Sequence, residues 1–174
     1  RAYRRQKAVR MALEQARSSG LMDAATGLFT RDLFASHLMR LARSSRERNR
    51  PLSVCMLKVC EKPELKAPRA GGWVARAVPQ IGSMIGRLVR VEDTAARLAP
   101  EVFALALPAT PLPAARAAGE RIAAVIGCTA FEAGQGATPF VVEFDLGVAE
   151  VASPEAVGYA LEQAAAMAND RKAS

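Results

Sequence analysis

Few residues in this 174-residue chain combine the types and spacing that chemistry needs. Arg90-Val91-Glu92-Asp93 is the only place where an arginine is followed three residues later by an aspartate, and Arg121 stands on a later helical run. A guanidinium fork donates paired hydrogen bonds and a carboxylate accepts them, so such a pair can grip a flat polar ligand. Left to itself it is a surface ion pair worth little. Cys55, Cys60 and Cys128 sit singly among apolar residues, without paired spacing or the density of a secreted scaffold, which favours reduced thiols in a cytosol. His37 is the one histidine, so no His-based metal site is expected.

The formal charge of +7 favours anionic partners: nucleic acid, anionic lipid or a phosphorylated small molecule. Twelve of the lysines and arginines fall in residues 1–50, so much of the surplus belongs to solvated helix faces rather than to a pocket. Apolar runs such as Val102 to Leu107 are far short of the roughly 18–20 residues needed to cross a bilayer, so no membrane span is expected. Length and an apolar content of 51% fit one domain with a proper core. The opening stretch is basic, helical and without an apolar signal core, and reads as a piece cut from something longer.

The elements that must position these residues follow from periodicity. Val9, Leu13 and Ala16 recur at helical spacing and predict a linker helix over residues 1–21. Thr30 can cap a helix with Leu33, Phe34, Leu38 and Leu41 on one face. Leu52 to Val59 reads as a strand, residues 60–72 as a loop, and Trp73 to Val89 as a helix with Pro79 as a kink or late start. Thr94 to Leu98 and Val102 to Leu107 are strands joined by Ala99-Pro100-Glu101, and Pro111 to Ile126 is a helix. Phe140 to Val151 reads as one long strand, and Ser153-Pro154-Glu155 as the cap of a last helix to about Asn169. This order gives an α+β fold with a central, mostly antiparallel sheet of about five strands around a ferredoxin-like βαββαβ core flanked by helices.

Asp23-Ala24-Ala25-Thr26-Gly27-Leu28-Phe29-Thr30-Arg31 resembles the D-x-L-T-G-L-x-N-R opening of GGDEF domains, the diguanylate-cyclase-like family. In the same register the family's five-residue signature falls on Ala99-Pro100-Glu101-Val102-Phe103, and its late S-I-G-V strand on Asp145-Leu146-Gly147-Val148. The resemblance covers residues 22–170 and implies the GGDEF, nucleotidyl-cyclase-like fold for a domain at 22–174. It also implies that residues 1–21 link to an upstream domain, a receiver by analogy, and that the location is cytoplasmic.

In active members two magnesium ions are held by a carboxylate at the end of the first strand and by one in the hairpin. The resemblance places Lys58 at the first position and Glu101 at the second. Ala99 and Pro100 replace the signature glycines, whose backbone must approach the nucleotide closely, and Pro100 also removes an N–H, so a tight hairpin offering amides to phosphate is not expected. The guanine-reading asparagine and aspartate fall on Lys66 and Ala75, and the late phosphate-binding lysine falls on Asn169. No catalytic residue, metal or cofactor is therefore expected. An ion pair between Lys58 and Glu101 in place of the metals is one expectation, and Lys58 reaching to water is the other.

The family's inhibitory product site, R-x-x-D with an arginine on the following helix, falls on Arg90, Asp93 and Arg121. The implied ligand is cyclic di-GMP, commonly an intercalated dimer. Arginine donates to O6 and N7 of guanine while the carboxylate accepts from N1–H and N2–H. Arg43 or Arg46 of a neighbouring copy could meet its free face. The implied role is that of an effector resembling the PopA type of receiver–GGDEF regulator, whose output is recruitment of a partner protein or of a second copy. The alternatives are a ligand-free scaffold for dimerisation or docking and a GTP-sensing domain. Nucleic-acid binding by the basic helices is not favoured, since they offer few aromatics for stacking.

Overall fold

In the computed structural model, which describes residues 21–170 together with Lys7, Ala8 and Met11, Thr30 opens the first long helix. The Thr30 hydroxyl accepts from the Leu33 amide at 3.5 Å, and α1 (Arg31–Glu47) buries Phe34, Leu38 and Ala42. There follow β1 (Leu52–Val59), α2 (Pro63–Ala70), α3 (Trp73–Leu88), β2 (Thr94–Ala99), β3 (Val102–Pro108), α4 (Leu112–Gly127), β4 (Phe144–Glu150) and α5 (Val157–Asp170). The linker helix expected at residues 1–21 lies, apart from those three residues and Leu21, outside the described residues. No described helix is long and apolar enough to cross a membrane.

The strands form one sheet in the order β2-β3-β1-β4, every neighbouring pair antiparallel, with the ferredoxin-like connection β1-α3-β2-β3-α4-β4. β1 is central, and alternation along it splits the core in two. Cys55, Leu57 and Val59 pack with α3 and α4 on one face, whereas Leu52, Val54 and Met56 pack with α1 and α5 on the other. Lys58 continues the second series and is its one member not buried.

Three features differ from the sequence-based expectation, and one alternative is decided. Residues 60–72 are not all loop: Pro63 at the first helical turn and Glu64 behind it start α2, and Leu65 is buried at 2% exposure. The long strand does not begin at Phe140, which makes an isolated bridge to Phe131 before the ladder starts at Phe144, so the sheet has four strands among the described residues. α3 spans the expected helix and runs through Pro79, which excludes the late start of the two alternatives. Ser153 precedes a short 3₁₀ turn, Pro154–Ala156, without a side-chain cap bond.

Two packing devices hold the frame around the site. A Cβ on Gly147 would stand 1.8 Å from the Ala164 carbonyl oxygen, so only glycine lets α5 lie this close to β4. At the start of the domain, Asp23 Oδ2 accepts from the Thr26 amide at 3.0 Å and from the Thr26 hydroxyl at 2.6 Å, while Gly27 turns the chain at φ 71°. Arg97 on β2 donates to Asp23 and, through its other terminal nitrogen, to the Pro100 carbonyl at 3.1 Å, tying the opening turn to the β2–β3 hairpin. Burial pushes the Asp23 carboxyl up, but the Thr26 bonds and then the Arg97 charge outweigh it and hold it below its ordinary value.

Gly147→Ala should therefore cost about 1–3 kcal/mol in urea unfolding, because α5 must lift off the sheet; an unchanged midpoint would contradict the close approach. Asp23→Asn should cost ~1 kcal/mol near neutral pH. Because the folded-state pKa is depressed, this contribution is complete above the unfolded value, about 3.9, and is lost as pH falls through the folded value. Parent and Asp23→Asn stabilities should accordingly converge on acidification, and a gap constant from pH 7 to pH 3 would show that the charge has no part.

Candidate functional site

The β2–β3 hairpin closes, as expected, through a turn at Pro100 and Glu101, with Ala99 paired to Val102 across it and the register shifted between Arg97 and Ala99. The Glu101 backbone carbonyl accepts from the Val59 amide at 3.0 Å, docking the turn on the end of β1. The Glu101 carboxylate takes a two-point fork from Arg69: Nε to Oε2 at 3.1 Å and Nη2 to Oε1 at 2.6 Å. Lys58 turns the other way, its Nζ donating to Asn169 Oδ1 at 2.8 Å near the end of α5. The expected Lys58–Glu101 ion pair is thus not formed, because a fork matched to a carboxylate from α2 has taken Glu101 and a neutral amide has taken Lys58.

Lys58, Ala99 and Asn169 line one cleft of about 540 Å³ between α1 and α5, at the hairpin end of the sheet. Lys66 on α2 and Ala75 on α3 are exposed and are not among the residues that line it. The positions that the family pattern assigns to guanine recognition and to phosphate are therefore not gathered in one cavity. Nearby, Cys60 is pushed up to about 11 by burial and by the Asp145 carboxylate, which keeps its thiol protonated.

Arg90 and Asp93 lie where α3 gives way to β2. The residues between them form a turn, with Asp93 N–H donating to the Arg90 carbonyl at 3.0 Å and Arg90 N–H to Asp93 Oδ2 at 3.0 Å. The side chains close on each other as a second fork, Nε to Oδ2 at 3.0 Å and Nη2 to Oδ1 at 2.9 Å. Nη2 also donates to the Thr110 hydroxyl at 2.7 Å, and Glu92 lies 3.3 Å from Nη1. The Asp93 side chain is covered to 4% exposure, while Arg90 remains 47% exposed. Hydrogen bonding to Asp93 raises the Arg90 pKa further.

Arg121 is exposed on α4, which packs beside α3 on the same face of the sheet. Arg43 and Arg46 are exposed on α1, on the opposite face, and Arg46 faces Glu155 at 3.9 Å. The structure thus joins Arg90 to Asp93, sets Arg121 on the neighbouring helix, and keeps Arg43 and Arg46 apart from them.

Two participants escaped the sequence reading. Arg69 sat in a stretch read as loop, although Pro63, Glu64 and the Gly71-Gly72 stop were signals for a helix. Thr110 carries the β3–α4 turn: its carbonyl accepts from the buried Ser53 hydroxyl at 2.7 Å and its own hydroxyl donates to the Pro108 carbonyl at 2.8 Å. A lone threonine among prolines gave no sign of this.

The sequence matches the family described as diguanylate cyclase, GGDEF domain, over residues 20–174. Among solved structures, the chain is similar to diguanylate cyclase SiaD from Pseudomonas aeruginosa, solved in complex with its activator SiaC, at TM-score 0.78 and 23% identity, covering 98% of this chain and 65% of that one. It is similar to the coiled coil and GGDEF domain of DgcB from Caulobacter crescentus, solved in complex with c-di-GMP, at TM-score 0.75 and 20% identity, covering 98% and 90%. It is also similar to the FimX GGDEF domain from Pseudomonas aeruginosa, at TM-score 0.74 and 19% identity, covering 86% and 92%. No curated protein matches the sequence. With its antiparallel sheet, its hairpin signature position and a family match across nearly the whole chain, the protein belongs to the GGDEF domain family.

Proposed function

We propose that this GGDEF domain is catalytically inactive and serves as a cyclic di-GMP receptor, binding the ligand through Arg90, Asp93 and Arg121 and altering how the domain docks on a partner protein or a second copy. The observation that carries this reading is the contrast between its two arginine–carboxylate forks. Arg69 and Glu101 close where catalysis would need a metal, with their side chains only 33% and 30% exposed. Arg90 and Asp93 close at a surface turn, with the arginine half open and Arg121 on the adjoining helix.

The donor set does not fit a divalent cation. Both Glu101 oxygens face Arg69, Lys58 offers an ammonium in place of a carboxylate, and no group of three or more His, Cys, Asp or Glu side chains gathers for a metal among the described residues. Pro100 has no N–H to offer phosphate, and exposed Lys66 and Ala75 cannot read guanine as an asparagine and aspartate do. These features also weigh against a GTP sensor.

At the surface fork, guanine can replace each group's present partner with another of the same kind. Arg90 swings from Asp93 to O6 and N7, and the uncovered Asp93 accepts from N1–H and N2–H while keeping its bond from the Arg90 backbone. Arg121 supplies a cation for a phosphodiester or a stacking face. The complexes of DgcB with c-di-GMP and of SiaD with SiaC support a ligand and a protein partner for domains of this shape. A ligand-free docking scaffold is the second reading, favoured by the Asp93 carboxylate being already satisfied and only 4% exposed.

Calorimetric titration with cyclic di-GMP, GTP as control and a GTP turnover assay with magnesium separate these readings. Binding of cyclic di-GMP without turnover is expected, and Arg90→Ala should weaken it about 5–150-fold, or about 1–3 kcal/mol, with the fold intact. Equal affinity for variant and parent would remove the site from Arg90, product formation would overturn the inactivity, and absence of any binding would leave the scaffold.

A further inference from the structure

The cleft between α1 and α5 differs in kind from the surface fork. Its floor is Phe34 and Met56, both buried, and its walls are the half-buried Leu98, Val102, Leu161 and Ala165. Small residues make the space: Ala35 faces the cleft from α1, and Ala165 and Ala168 face it from α5. At about 540 Å³ it lies within the size range of small-ligand sites, roughly 300–1,000 Å³, and like them it is chiefly apolar.

One polar group on its lining is distinctive. Lys58 is half-buried as a residue, and at the exposed rim of the cleft its Nζ donates to an uncharged partner, the Asn169 amide. An ammonium has three donors, and that bond uses one. The other charged side chains on the lining, Arg31, Asp32 and Glu162, are exposed and so sit in water, where their fields are screened. A ligand entering the cleft therefore meets apolar walls and, at their rim, the ammonium of the one charged lining residue that is half-buried, Lys58.

We infer that this cleft binds a small amphiphilic monoanion, with an apolar body against Leu98, Val102 and Leu161 and one carboxylate or sulfonate on Lys58 Nζ. A nucleoside triphosphate is the wrong complement, because it brings several charges and a polar base to one amine, with Pro100 providing no amide. The site is separate from Arg90 and does not depend on cyclic di-GMP binding there.

The probe is 8-anilinonaphthalene-1-sulfonate, titrated by fluorescence into the full chain and displaced by octanoate, octanol or GTP. Octanoate should displace it at least about tenfold better than octanol, and Lys58→Met should erase that preference by removing the charge-assisted bond. Ala165→Phe, which fills the cleft, should abolish probe binding at an unchanged urea midpoint, while Arg90→Ala should change nothing. Octanoate and octanol displacing equally from the parent, an undiminished octanoate preference in Lys58→Met, or displacement by GTP as strong as by octanoate would each overturn the inference. Should Ala165→Phe fail to fold, the Lys58→Met comparison decides alone.

Discussion

The contact between Gly147 and the Ala164 carbonyl sets the position of α5, and much of the site follows from that position. A helix can settle this deeply only if both surfaces are small. β4 supplies a glycine, and α5 meets the core with Ala160, Ala164 and Ala168. The close approach brings Asn169 at the helix end within hydrogen-bonding reach of Lys58, at 2.8 Å, and sets Ala165 and Ala168 beside Leu161 on the wall of the cleft that faces α1. A close-packed interior normally tolerates few voids, so a cleft of this size belongs at the surface, between helices whose facing side chains are too short to meet.

Short apolar runs bounded by turn residues made β1 and β3 legible, because a strand buried on both faces is apolar along its length. Lys58 stood out through the resemblance alone, which puts it where the family has a carboxylate. The helical stripes of α1 and α3 were legible from their spacing. What escaped was held by contacts distant in sequence. An eight-residue helix with two prolines has little intrinsic stability, and α2 persists because Leu65 is buried and Arg69 reaches the hairpin. Without α2, sequence reasoning could bring Lys58 and Glu101 towards one pocket but could not see that Arg69 arrives there too. The strand expected from Phe140 failed for a related reason: the Phe131–Phe140 bridge follows from a loop with positive φ at Gly134 and Gly136, and it ends before the ladder begins.

The two forks show why the same pair of residue types leads to different chemistry. Around Arg69 and Glu101 the partners come from separate elements, and opening the pair would leave a half-covered carboxylate against a hairpin already docked on β1. Around Arg90 and Asp93 the partners belong to one turn, and the backbone amide of Arg90 continues to hold the carboxylate when the guanidinium leaves. Water or a ligand edge can then take its place. Arg90 also reaches Thr110, whose carbonyl anchors the buried Ser53 hydroxyl, so displacement of the guanidinium is felt at the β3–α4 turn. On the proposed function, that turn is where occupancy of the surface site could be transmitted into the domain.

The substitutions at the hairpin end make sense as a set governed by charge. An acidic pair there is tolerable only with cations between its members, because like charges in a partly desolvated site repel strongly. Lys58 puts a cation on the protein itself, and Arg69 neutralises the remaining carboxylate, so neither Glu101 nor the hairpin needs an ion to be stable. On the proposed function, a hairpin balanced in this way has no need of the family's glycines, and alanine and proline at 99 and 100 fit a turn that does not have to admit a phosphate. On that proposal, the hairpin end carries its cations on the protein itself, with Arg69 on Glu101 and Lys58 on Asn169.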